Sequence, residues 1–150
     1  MRLVLFEPDI PQNAGTLFRL GACLGLPVDI IEPCGFILSD KHLRRAGMDY
    51  TDLVQITRHN SWADFEAQRT GRLILLTTRG DRSHVDFHFE SDDCVMVGRE
   101  SAGVPEAVHA AADARLRVPM MPDARSLNVA VTAALVIGEA LRQTDGFPRL

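Results

Sequence analysis

The sequence predicts an α/β fold, with a mostly parallel sheet and helices on both faces, from two patterns. Short runs of branched apolar residues, such as Leu3-Val4-Leu5 and Val95-Met96-Val97, alternate along the chain with segments of helical periodicity. Most of these runs are apolar on both faces, as strands covered from either side must be.

Arg2–Phe6 reads as the first strand. A helix over 15–24 follows, with Asn13 as a candidate cap and Leu17, Leu20 and Leu24 on its buried stripe. Val28–Ile31 is the second strand, and the pattern over 40–46 is helical. Ser61 and Asp64 make a capping box for a helix over 61–69. Strands over 72–77 and 94–97 come next, then a helix over 105–111 with Pro105 in its first turn. A strand over 116–118 leads to a long helix over 127–144, capped by Ser126 or a near neighbour. Such sheets bind ligands beyond the carboxyl ends of their strands, so the segments after Phe6, Thr77, Val97 and Val118 are where a site is expected.

The 150 residues suit one domain, and 46% hydrophobic with 24% charged residues excludes a disordered chain. The longest apolar stretch, 129–137, is well short of the roughly 20 residues of a membrane helix, and no secretory segment follows Met1-Arg2. Cys23, Cys34 and Cys94 are odd in number and lack C-x-x-C spacing, which reads as buried, reduced thiols in the cytoplasm. A net charge of −4 gives no general attraction for nucleic acid, so an RNA partner requires a local basic patch.

Three loops have the residue types for ligand chemistry. In the first, Pro8 and Pro11 stiffen the chain before Asn13, and Arg19 shares a helix face with Gly15, where a ligand has room to approach. In the second, Gly98 and Gly103 flank a polar turn that exposes bare backbone amides before Pro105. The third, held extended by Pro119 and Pro122, ends at Ser126 and Asn128. A surface arginine, a generic glycine turn and an ordinary cap account for each loop singly. The glycine loop fits neither G-x-G-x-x-G, a Walker sequence nor G-x-S-x-G, which disfavours dinucleotide, triphosphate and serine-hydrolase chemistry. His84, Asp86, His88 and Glu90 alternate with apolar residues, placing four potential ligands on one face of an extended segment. Adjacent strand ligands rarely close a tetrahedral site, and no metal is expected.

Taken together, Pro11-x-Asn13-x-Gly15-x-x-x-Arg19, Gly98-x-Glu100-x-x-Gly103-Val104-Pro105 and Pro119-Met120-x-Pro122-x-x-x-Ser126-Leu127-Asn128 resemble the three motifs of the SPOUT RNA 2′-O-ribose methyltransferases. The resemblance spans essentially the whole chain. Glu32-Pro33-Cys34-Gly35-Phe36, residues 40–50 and Leu76-Thr77-Thr78-Arg79-Gly80 bring it near the small bacterial tRNA (cytidine/uridine-34) 2′-O-methyltransferases, which lack a separate RNA-binding domain. Arg99, Ala102, Ala130 and Val131 depart from the residues frequent there.

The resemblance implies a single SPOUT domain over 1–150 with a deep C-terminal trefoil knot, against the usual rule on threaded connections. It implies S-adenosyl-L-methionine, released as S-adenosyl-L-homocysteine, held at Leu76, Thr77, Gly98, Glu100, Gly103, Val118, Met120 and Ser126. Arg19, Asn13 and Asn128 are the implied catalytic residues, and a homodimer through the first and last helices shares them between subunits. The implied substrate is the ribose of tRNA nucleotide 34; another tRNA or rRNA position, or a non-catalytic RNA-binding module, remains an alternative. Lys41, Arg44 and Arg45 fall on one helical face and form the expected dock for anticodon stem-loop phosphates.

Overall fold

The computed structural model describes residues 1–38 and 53–150; the predicted helix over 40–46 lies outside them. Among the described residues, seven strands form one sheet: β1 (Arg2–Phe6), β2 (Val28–Ile31), β3 (Ile56–His59), β4 (Leu73–Leu76), β5 (Arg82–Ser83), β6 (Cys94–Val97) and β7 (Ala114–Arg117). Their order is β3-β2-β1-β6-β4-β7-β5, and every pairing is parallel. The helices described are α1 (Pro11–Leu24), α2 (Trp62–Gln68), α3 (Glu106–Ala111) and α4 (Val129–Gln143).

The interior strands divide their side chains by alternation. Leu3, Leu5, Ile30, Ile74, Leu76, Val95, Val97 and Leu116 pack in one cluster with Leu17 and Phe18 of α1 and Ala133, Val136 and Ile137 of α4. Val4, Phe6, Ile31, Leu73, Leu75 and Met96 pack in a second cluster with Phe65 of α2 and Val108 of α3. Both faces are covered, and each large apolar side chain so buried contributes roughly 1.5–3 kcal/mol.

Several boundaries differ from those read in the sequence. α1 begins at Pro11, whose missing N–H costs nothing in a first turn, so Asn13 lies inside the helix and does not cap it. Its buried residues are Ala14, Gly15, Leu17, Phe18 and Gly21, so Gly15 is covered and does not share the exposed face of Arg19 as read from the spacing, and Leu20 and Leu24 are only half-buried. α1 stops at Gly25, whose φ of 66° returns its N–H toward the Ala22 and Gly21 carbonyls. α4 begins at Val129, not 127, and its cap is Asn128. β3 and β5 were not legible, because both lie at sheet edges and have polar sequences. Cys94 is buried, but Cys34 is half-buried and Cys23 exposed, contrary to the reading of all three as interior.

The segment after β5 corrects the four-ligand alternation. His84–Asp86 is a 3-10 turn whose Ser83 cap accepts from the Val85 N–H, so His84 turns inward and Val85 outward. Phe87 and Phe89 stack edge to face with centroids 4.9 Å apart. Gln143, on α4, pins them by donating to the Phe87 carbonyl and accepting from the Phe89 N–H.

Among the described residues, two buried carboxylates each have a charged partner. Asp29 accepts from Arg2 Nε at 2.5 Å and lies 2.7 Å from His59 Nε2, tying β1, β2 and β3 together. Asp93, fully buried, accepts two bonds from Arg72, whose guanidinium also stacks on Phe87.

Gly80 follows β4 where the chain passes directly against β7. A Cβ there would sit 2.5 Å from the Leu116 carbonyl carbon, in backbone that cannot yield. Gly80→Ala is expected to destabilise the fold by about 2 kcal/mol, read as a lower urea midpoint at unchanged m-value.

Candidate active site

Because β6 sits between β1 and β4, the segments leaving β1, β4, β6 and β7 emerge side by side at the carboxyl end of the sheet. Beyond Leu76, Val97 and Leu116 they enclose a cavity of about 460 Å³, the size of a small-molecule site. Leu76 and Thr77 line it from β4, Gly98, Glu100 and Gly103 from the glycine loop, and Val118, Met120 and Ser126 from the segment before α4. Asn13 reaches it from α1 and Asn128 from the cap of α4.

The glycine loop closes on itself. The Arg99 N–H donates to the Gly103 carbonyl at 3.1 Å, and the Gly103 N–H donates back at 2.7 Å. A Cβ on Gly98 would stand 2.9 Å from the Gly103 carbonyl carbon, so the two glycine backbones are in direct contact. Arg99, one of the residues outside the family pattern, reaches the first loop and pairs with Glu7 at 3.0 Å.

A chain of hydrogen bonds joins the three loops. Asn13 Nδ2 donates to Glu100 Oε1 at 3.2 Å, and Asn128 Nδ2 donates to Asn13 Oδ1 at 3.0 Å. Asn128 Oδ1 accepts from the Ala130 and Val131 N–H groups at 2.8 and 3.3 Å, capping α4. Burial pushes the Glu100 carboxyl above its usual range, and the Asp9 carboxyl beside it adds to the shift. Hydrogen bonding to Glu100 and Ser101 holds Asp9 down at about 2.

All eight residues expected to hold a cofactor line this cavity, as do Asn13 and Asn128. Arg19 is not among the lining residues; it is exposed on α1. Lys41, Arg44 and Arg45 lie outside the described residues. Sequence reasoning missed Arg117, which lines the cavity at the end of β7, and Asp9 on the first loop. A charged residue at the carboxyl end of a strand was the available signal for Arg117. Glu90, Asp92 and Asp93 bring carboxylate oxygens within 4.8 Å of one another, but Arg72 pairs with Glu90 and Asp93.

The SpoU rRNA Methylase family matches residues 1–138. A protein of Beijerinckia indica subsp. indica named tRNA (cytidine(34)-2′-O)-methyltransferase is 57% identical over 151 residues, covering 99% of this chain and 94% of that one. Among solved structures, one described as giving insights into the 2-OH methylation of C/U34 on tRNA superposes with a TM-score of 0.90 at 41% identity, covering 95% of this chain and 94% of its own. The SpoU methyltransferase AviRb of Streptomyces viridochromogenes, solved with the cofactor AdoMet, superposes with a TM-score of 0.81 at 25% identity, covering 95% of this chain and 57% of that one.

Asn128 both caps α4 and holds Asn13. Asn128→Ala is expected to cost about 1–2 kcal/mol in chemical denaturation, while Asn128→Ser, which still caps but cannot reach Asn13, recovers most of that loss.

Proposed function

The chain belongs to the SpoU rRNA Methylase family, and from that membership and the lining of the cavity we infer its reaction. It is an S-adenosylmethionine-dependent methyltransferase acting on the ribose 2′-oxygen of the wobble nucleotide, cytidine or uridine 34, of tRNA. The observation that carries this reading is the convergence of three motifs, far apart in the chain, on one cavity.

The lining suits the cofactor. Leu76, Leu116 and Val118 offer apolar walls to a purine, and the lack of side chains on Gly98 and Gly103 lets it approach the loop backbone closely. When bound, S-adenosylmethionine supplies an electrophilic methyl group. The chain's own task is orientation of the ribose hydroxyl, which can account for much of the acceleration. Asn13 and Asn128 hold the cavity rim in register through their linked amides. Arg19 is assigned to the target phosphate or the developing alkoxide, since a guanidinium is a donor and a cation rather than a proton acceptor.

Arg19 is exposed on α1 and outside its own chain's cavity, which favours a homodimer through α1 and α4 in which it serves the partner's site. Ile10, Val131 and Leu135, at 41%, 49% and 47% exposure, supply apolar surface for that contact. A trefoil knot in the C-terminal half belongs to the same reading, as what membership of this family implies. For tRNA the basic residues assigned to docking are Lys41, Arg44 and Arg45, supplemented by exposed Arg117 at the cavity.

Mapping ribose methylation across total tRNA, with and without the active protein, is expected to show loss at position 34; loss elsewhere with position 34 intact overturns the substrate assignment. Arg19→Ala should lower kcat by about 10²-fold or more with cofactor affinity retained, as for removal of a group stabilising an oxyanion. Reversing the charges of Lys41, Arg44 and Arg45 should weaken tRNA binding at least about tenfold and flatten its salt dependence in filter-binding assays.

A further inference from the structure

Asp9 does not line the cavity, but it holds the residue that links the cavity's loops. The first loop and the glycine loop are joined reciprocally. The Asp9 backbone N–H donates to Glu100 Oε2 at 3.1 Å, and the Glu100 backbone N–H donates to Asp9 Oδ1 at 3.1 Å. The Ser101 hydroxyl closes on Asp9 Oδ2. With Oε2 engaged in this way, Glu100 presents Oε1 to Asn13, and Asn13 in turn receives the Asn128 amide.

Asp9 is itself held in place. Gly35, after β2, donates its N–H to the Pro8 carbonyl at 2.9 Å, and a Cβ on Gly35 would lie 2.6 Å from Asp9 Cβ. The chain thus passes directly against Asp9, and a side chain larger than glycine's would collide with it there. The two loops have a second tie that does not involve Asp9, the ion pair and carbonyl contact between Arg99 and Glu7. Loss of the Asp9 side chain therefore leaves the loops joined and the backbone N–H of position 9 on Glu100 Oε2, but releases the Glu100 N–H and the Ser101 hydroxyl, and with them the backbone from which the Glu100 carboxyl is aimed.

We propose that Asp9 is a positioning residue for methyl transfer, setting Glu100 and, through it, the Asn13–Asn128 amide pair. The proposal rests on the reading of this cavity as a methyltransferase site. Asp9 touches neither substrate nor cofactor in this scheme; a carboxylate is suited to the role because it accepts an N–H and an O–H at once. Charged groups around Glu100 among the described residues are Asp9 on the first loop and the Arg99–Glu7 pair. Asn13, from α1, is uncharged. Glu100 serves Asn13 as an acceptor, so activity should fall as pH drops through its raised pKa. Removing the negative charge of Asp9 makes Glu100 easier to ionise, which moves that acid limb to lower pH.

The test compares Asp9→Ala and Asp9→Asn with the unsubstituted protein, measuring kcat and KM for tRNA, S-adenosylmethionine affinity by calorimetry, the rate against pH, and amide exchange at Glu100 and Ser101. Asp9→Ala is expected to lower kcat at least about tenfold, the loss of one or two charge-assisted hydrogen bonds at the site, with KM changed less than about threefold. Asp9→Asn, which keeps one acceptor oxygen, should recover part of kcat and shift the acid limb of the profile downward. A kcat within about twofold of the unsubstituted value, or a loss that follows melting temperature with the pH profile unmoved, overturns the proposal. If the unsubstituted protein methylates no tRNA, the reading of the site has failed instead. Amide exchange then decides the clamp: faster exchange at Glu100 in Asp9→Ala supports it, and unchanged exchange overturns it.

Discussion

A parallel sheet has connections too long for tight turns, and helices packed on both faces supply them. That constraint explains most of this molecule. Once β1 and β6 pair, their alternating side chains must be covered from two sides, by α1 and α4 on one and by α2 and α3 on the other. The apolar cover ends with Leu76, Val97 and Leu116, and the next residues of the same strands open into the cavity. The site is thus where burial of the sheet stops. Its loops are adjacent because β6 lies between β1 and β4, not because they are near in sequence.

Ion pairs hold the sheet where apolar cover is thin. β3, at one edge, has little apolar surface, and the bond between His59 and buried Asp29 secures its end to β2. Just ahead of the interior strands β4 and β6, Arg72 satisfies Asp93 and stacks on Phe87. Buried carboxylates are tolerable only with such partners, since an isolated one would lose several kcal/mol of hydration. Arginines spent in this way are not available to RNA. Arg2, Arg58, Arg69, Arg72, Arg99 and Arg115 all sit in ion pairs with this chain's own carboxylates. The proposed action on tRNA therefore has to rest on cations outside that internal network.

Much of the site was legible because its residues act through short-range rules. Glycines that let two backbones touch, prolines that keep a segment extended, and amides beside a helix start can all be recognised from spacing, and Gly98, Gly103, Ser126 and Asn128 do line one cavity. What Asn13 does there was not legible. As a polar residue near a helix start it reads as a cap, but Pro11 starts the helix earlier and leaves its amide free to bridge Glu100 and Asn128. The alternation read over 84–90 holds from Asp86 to Glu90 but not at its start, because a 3-10 turn puts His84 inward and Val85 outward, and no periodicity rule foresees it.

Taken alone, the sequence determined the layered class, the interior strands and the three motifs, because apolar alternation and turn chemistry are local properties of the chain. Tertiary structure decided which loops meet, that Asp9 and Glu100 exchange hydrogen bonds across 91 positions, and that Arg19 does not line the cavity its motif helps to form. These depend on strand order and helix placement, and strand order follows from the packing of the whole sheet rather than from any one segment.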